Sequence, residues 1–253
     1  KKFFLIEFRT KHSLSKELNF YLQLMKKILS FFIISIISLN NMAQPNLPFT
    51  LNIIADVNTY KQTVSTNPSL EMIELKKIIP SIIYELHYAT TDNFTKVRMY
   101  PRGLNKTYLR KKPATALAHV SVELAAMGIG LKVWDAYRPY SVTQKFWTLI
   151  HDERYVANPA KGSGHNRGIA IDLTLIDLKT GEELNMPTKF DDFSEKAHHG
   201  FNDIDTAQLK NRELLKNTME KHGFLKFQTE WWHYSWPNGN EYDVLDLSFT
   251  KLK

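Results

Sequence analysis

The sequence predicts an α+β domain whose central sheet is mainly antiparallel and flanked by helices. Helix-period and strand-period stretches are interleaved along residues 71–253. The strand stretches are joined by tight turns as well as by helical crossovers, and tight turns bring antiparallel neighbours. The length of 253 residues, 43% of them hydrophobic, provides for one ordinary core, with no internal repeat or low-complexity tract.

The chain opens on Lys1, and residues 1–24 are read as an extension upstream of a start at Met25. From Met25 the stretch "MKKILSFFIISIISLNNMAQ" has two lysines, an apolar run from Ile28 to Leu39 and a small residue at Ala43, the three parts of a secretory signal over residues 25–43. The apolar run falls short of the roughly 20 residues a membrane span needs. Export is therefore expected, to the periplasm or the medium, with no stable membrane association after cleavage; an uncleaved anchor is the alternative. Residues 44–70 are polar and proline-containing and read as a linker or loosely packed lead-in.

The domain is expected over residues 71–253. In "SIIYELHYA", Ile82, Tyr84, Leu86 and Tyr88 alternate with Ile83, Glu85 and His87, as in a strand with one wet face. "TTDNFTKVRMYPRG" follows as a loop rich in turn formers. From Pro113 to Gly128, Leu117, Val120 and Leu124 form one helical stripe between a first-turn proline and a terminal glycine. "IGLKVW" alternates as a strand into "DAYRP", and Ser141 is placed to cap a helix reaching about His151. "GIAIDLTLIDLKTGEEL" reads as a strand, a turn and a return strand. A helix over Thr206 to His222 has a capping box in Asp205 and Gln208 and a stop at Gly223, and "FQTEWWHYSW" closes the domain as an aromatic strand.

Composition narrows the function. Residues 1–43 hold seven basic and two acidic residues, hence +5 of the formal +7, which leaves the rest near +2. A basic field for nucleic acid is thereby missing. The absence of cysteine excludes disulfides, a thiol nucleophile, a lipid-anchored cysteine and any Cys-ligated zinc.

Three motifs carry candidate chemistry. In "SGHNRGIAID", His165 and Asp172 are seven residues apart, roughly 23 Å if extended, so they share a ligand only if the chain reverses between them. Asn166, Arg167 and Gly168 are competent for that reversal. Taken alone, the pair also fits a structural histidine and an incidental strand carboxylate. In "EWWHY", Glu230 and His233 would face opposite sides of a regular strand and converge only at a bulge or strand end; the alternative is an aromatic core strand with both exposed. In "DAYRPY", Arg138 stands at a strand end, free to enter a cleft or to form a surface ion pair with Asp135 or Glu153. Together they supply three nitrogen or oxygen donors for zinc (His165, Asp172, His233), a base for a water (Glu230) and a cation for an oxyanion (Arg138).

"SGHNRGIAIDLTL", "EWWHY", "DAYRP", "YATTDNF" and "FDDF", with "TGEEL" and "EKAHH" between them, resemble the D-alanyl-D-alanine dipeptidases over about residues 71–247. These are zinc dipeptidases of the wider D,D-peptidase and hedgehog-like metallopeptidase group. The resemblance implies that fold and one Zn2+ per chain held by His165, Asp172 and His233. It implies Glu230 as general base, Arg138 as the stabilising arginine, and Ser163, Tyr88 and Asp191 as residues that hold a small dipeptide, Asp191 pairing with its amino terminus. Hydrolysis of D-alanyl-D-alanine or a similar D,D-dipeptide is the implied activity. A D,D- or L,D-carboxypeptidase acting on peptidoglycan stem peptides and a non-catalytic zinc-containing binding module are the alternatives. The exported N-terminus departs from cytoplasmic members, which favours turnover or salvage of wall dipeptides over a role in glycopeptide resistance.

Overall fold

The computed structural model of the chain describes residues 51–252, so the expected extension and signal segment lie outside the described residues. A five-stranded sheet organises the fold. Its strands are β3 (Ile83–Tyr84), β5 (Ile129–Asp135), β6 (Ala170–Asp177), β7 (Leu225–Phe227) and β8 (Glu230–Ser235), in the order β3-β5-β6-β8-β7. Only β3 and β5 run parallel; the other three pairings are antiparallel, as expected. Smaller pairs join β1 (Ile53–Ile54) to β9 (Val244–Leu245) and β2 (Met72–Glu74) to β4 (Tyr108–Arg110).

Strand alternation divides the sheet's two faces. Ile171, Leu173 and Leu175 of β6 join a buried cluster with Leu117, Val120 and Leu124 of α3 (Lys111–Ala125) and Leu215 and Met219 of α5 (Thr206–Lys221). Burying such side chains contributes about 1.5–3 kcal/mol each, so this layer fixes the register of the central strands. The opposite face presents Asp172. A one-residue slip of β6 would exchange Asp172 for leucine, so the core that orders the sheet also aims the carboxylate.

The expected caps of α5 are present: the Asp205 carboxylate accepts from the Gln208 N–H, and the Gln208 side chain accepts from the Asp205 N–H. Gly223 at φ +92 ends the helix. α4 (Tyr140–Ile150) begins differently from its expected Ser141 cap, because Pro139 is the N-cap residue and the Ser141 N–H is donated to Asp246 Oδ1 at 2.9 Å.

Three sequence expectations need correction. Residues 53–70, expected as a loose lead-in, carry β1 and α1 (Val57–Thr66), capped by Asp56. Buried Tyr60 accepts the Met72 N–H at 2.7 Å, which ties α1 to β2. The partner of β1 lies almost 200 residues away, so no local pattern announced it. The alternating stretch 82–88 forms only the two-residue β3; from Leu86 the chain winds into a 3-10 turn, His87–Ala89, which carries Tyr88. The return strand expected after β6 is reduced to the isolated bridge Ile176–Glu183. Asp177 Oδ1 instead gathers the N–H groups of Lys179 and Thr180 into a turn.

Candidate metal centre and active site

Sheet register builds the centre. Asp172 on β6 is the direct cross-strand partner of Asp135 on β5 and His233 on β8, so the three lie in one row on one face. His165 reaches that row from the loop before β6 by the reversal the sequence requires. The Gly168 N–H bonds to the His165 carbonyl, and the N–H groups of Ile169 and Ala170 both bond to the Gly164 carbonyl. Gly168 holds φ +70, a left-handed conformation that favours glycine, and a Cβ there would also press on the end of the Met72 side chain. Ser163 Oγ accepts from the His165 N–H at 3.1 Å and caps the turn.

The donor atoms converge. One ligand atom each from His165, Asp172 and His233 lies within 4.8 Å of the others. His233 Nδ1 is 2.8 Å from Asp172 Oδ1, His165 Nε2 is 3.4 Å from Asp172 Oδ2, and the two ring nitrogens are 3.3 Å apart. His165 Nδ1 faces the Ala136 carbonyl at 2.7 Å. It must donate there, so the Nε2 lone pair is left for the cluster, the outer-contact pattern that fixes a metal-binding tautomer. Two imidazoles and a carboxylate in a triangle, with His165 and Asp172 buried, are a donor set that zinc fits. Burial pushes the Asp172 carboxyl up, but the two histidines outweigh it and hold it below the ordinary range. Burial likewise lowers His233, and the charge and hydrogen bond of Asp172 reverse this to a net rise.

Glu230 converges with His233 for both reasons the sequence left open. It is the first residue of β8, and the β7–β8 register shifts between Lys226 and Phe227. Its Oε2 lies 3.8 Å from His233 Nδ1. Burial raises the Glu230 carboxyl, with Asp172 adding to the rise and His233 opposing it. Arg138 is paired with Asp135, as one alternative held, yet the pair is buried and not on the surface: Nε and Nη2 lie 3.0 and 2.7 Å from Asp135 Oδ2. The guanidinium sits against the Tyr88 and Phe146 rings, 5.3 and 4.8 Å from their centroids.

The far wall comes from loops. The Tyr88 hydroxyl is 3.1 Å from both oxygens of Asp191, whose backbone is left-handed at φ +57. Burial first, then the charge of Asp172, push the Asp191 carboxyl well above the usual range. A half-buried acid whose hydrogen-bond partner among the described residues is a tyrosine hydroxyl is a ready partner for a cation.

All eight residues singled out from the sequence, Ser163, Tyr88, Asp191, His165, Asp172, His233, Glu230 and Arg138, line one cleft of about 250 Å3. The sequence reading missed Asp135, which hinted at its place only by ending an alternating strand beside Arg138. It also missed Phe94, Phe193 and Trp232, which line the same cleft but look like core aromatics in sequence. Asn166, seen there only as a turn former, is fully buried, and its amide bonds the Arg138 carbonyl and Thr143 Oγ1 at 2.9 and 2.8 Å.

Comparison with known proteins agrees with this geometry. The family model described as D-ala-D-ala dipeptidase matches residues 68–251. A D-alanyl-D-alanine dipeptidase of Escherichia coli (strain K12) is 36% identical over 181 residues, covering 71% of this chain and 92% of that protein. The protein so named in Enterococcus faecalis (strain ATCC 700802 / V583) is 35% identical over 178 residues, 63% of this chain and 88% of its own length. A solved structure described as VanYB in complex with D-Alanine-D-Alanine has 14% identity and a TM-score of 0.36 over 53% of this chain and 74% of that one, a likeness too loose to carry weight. With a family match over residues 68–251 and relatives covered over about nine-tenths of their length, this chain belongs to the D-alanyl-D-alanine dipeptidase family.

Proposed function

We propose that the protein hydrolyses D-alanyl-D-alanine, or a close D,D-dipeptide, to free amino acids, with one zinc ion held by His165, Asp172 and His233. An ion held by these three residues would supply Lewis acidity to a water and to the scissile carbonyl. The chain's own groups do the rest. Glu230, its carboxyl pKa raised by burial, takes the proton of the attacking water and passes it to the leaving amine. Arg138 presents the guanidinium edge not bound by Asp135 to the oxygen on which charge develops. Asp191, with Tyr88, receives the substrate ammonium, and Ser163 lines the same cleft.

The observation that supports the reading most is the Asp191 carboxylate at one wall of the cleft. Asp191 stands at the wall, half-buried, and among the described residues no basic side chain is bonded to it, so a free ammonium supplies a matching charge and a longer peptide, whose amide nitrogen carries none, leaves it unmatched. Export by residues 25–43 would place this activity in the periplasm or medium, on dipeptides released from the wall. The test is the metal-loaded protein assayed on D-Ala-D-Ala, L-Ala-L-Ala and a pentapeptide stem ending in D-Ala-D-Ala. Preference for the first is expected. Preference for the pentapeptide would establish a carboxypeptidase, and zinc binding without turnover of any of them a binding module.

A further inference from the structure

Asp135 is fully buried beside the centre but has no part in the chemistry described above. Its carboxylate is saturated. Oδ2 receives Arg138 Nε and Nη2, while Oδ1 receives the Tyr100 hydroxyl at 2.6 Å and the Ala136 N–H at 2.9 Å. A two-point bond to a planar guanidinium sets its orientation, and that bond is only as fixed as the carboxylate. The carboxylate is fixed from behind by Tyr100.

Tyr100 is itself 3% exposed, with its ring packed against Phe249 at 5.0 Å between centroids. Asp135 is the hydroxyl's hydrogen-bond partner among the described residues. The Tyr100 N–H, in turn, donates to the Tyr88 carbonyl at 2.8 Å. One residue therefore braces both ends of the cleft: by its hydroxyl the Asp135–Arg138 pair, and by its backbone the turn that sets Tyr88 against Asp191. The loop that bears it reads in sequence only as one rich in turn formers.

We propose that Tyr100 is a positioning residue for the hydrolysis, acting through Asp135 to hold the Arg138 guanidinium at the angle that meets the developing charge. This rests on the role given to Arg138 above. Tyr100→Phe keeps the ring and the backbone bond to Tyr88 and removes only the hydroxyl, so it isolates the brace. For Tyr100→Phe, kcat on D-Ala-D-Ala is expected to fall about tenfold with KM within about twofold of the parent, about half, in free energy, of the roughly hundredfold that an ångström of misplacement can cost. Asp135→Asn should show the same split more strongly.

A second readout needs no turnover. Affinity for a phosphinate analogue of the dipeptide, which carries the transition-state charge, should drop in the same proportion as kcat, while affinity for product D-alanine and zinc per chain stay at parent values. Were Tyr100 only structural, KM, zinc content and product affinity would move together; that pattern, or a kcat and phosphinate affinity within about twofold of the parent, overturns the proposal. Arg138→Ala tells the two levels apart. If it too retains parent kcat, the role of Arg138 fails; if it is impaired while Tyr100→Phe is not, only the brace fails.

Discussion

The two ends of the cleft are built differently. The donor row of Asp172 and His233 stands on paired central strands whose other face is locked into the leucine-rich layer under α3 and α5. The clamp of Tyr88 and Asp191 stands on a 3-10 turn and on an irregular stretch with a left-handed aspartate. Register fixes the first and loop bonds fix the second. On the proposed roles, the bond-breaking chemistry would rest on paired central strands, and the recognition of the substrate's amino end on loops outside the core.

This contrast can be broken from either side. The largest effect should follow from Asp172→Ala. It removes the middle donor, so zinc is expected to fall below one per chain and turnover of every substrate by at least about 10^3-fold, since Lewis-acid stabilisation contributes several kcal/mol. Metal analysis beside the dipeptide assay checks it; full activity without zinc would dissolve the division of labour.

Asp191→Asn should act on the clamp alone. KM for D-Ala-D-Ala is expected to rise about ten- to hundredfold, about 1.4–2.8 kcal/mol, with kcat within a few-fold and zinc unchanged. An N-acetylated dipeptide, which has no ammonium, should lose little. Equal losses on both substrates would show that Asp191 does not read the amino terminus.

The smallest effect separates the site from the fold around it. His199 is buried against Tyr234, 6.2 Å between ring centroids, and its ring nitrogens have no partner among the described residues. Burial, reinforced by Arg212, Lys226 and Lys216 and opposed by Glu213, brings its pKa down to about 4 from the model-compound value of 6.5. The unfolded chain binds the proton more readily, so the stability owed to neutral His199 is complete above about pH 6.5 and is lost as the pH falls toward 4. His199→Phe should flatten the melting temperature over that window and leave kcat at pH 8 near the parent's. An unchanged slope would assign the acid lability to another group.

Much of this was legible in the sequence where the signal is local. The Asp205–Gln208 box, the glycine stops and the reversal at Gly168 are each written within a few residues and were found where expected. The donor types in "SGHNRGIAID" and "EWWHY" were legible as well, and the bulge needed to join Glu230 to His233 followed from strand periodicity alone. Long-range pairing was not legible. β1 against β9 and β2 against β4 are short, and nothing in two or three residues names a distant partner. Asp135 was misjudged for a related reason: next to Arg138 in sequence it looks like a surface ion pair, and only its position against Asp172 across the sheet reveals that the pair is buried.

In the proposed mechanism the donor row binds the metal while Glu230, three residues from His233, moves the proton. Glu230→Gln tests it most directly, because it preserves shape and removes the base. Measured side by side with the parent, the variant is expected to hold one zinc per chain and to hydrolyse D-Ala-D-Ala about 10^2- to 10^4-fold more slowly. Turnover near the parent rate with zinc bound would contradict the account.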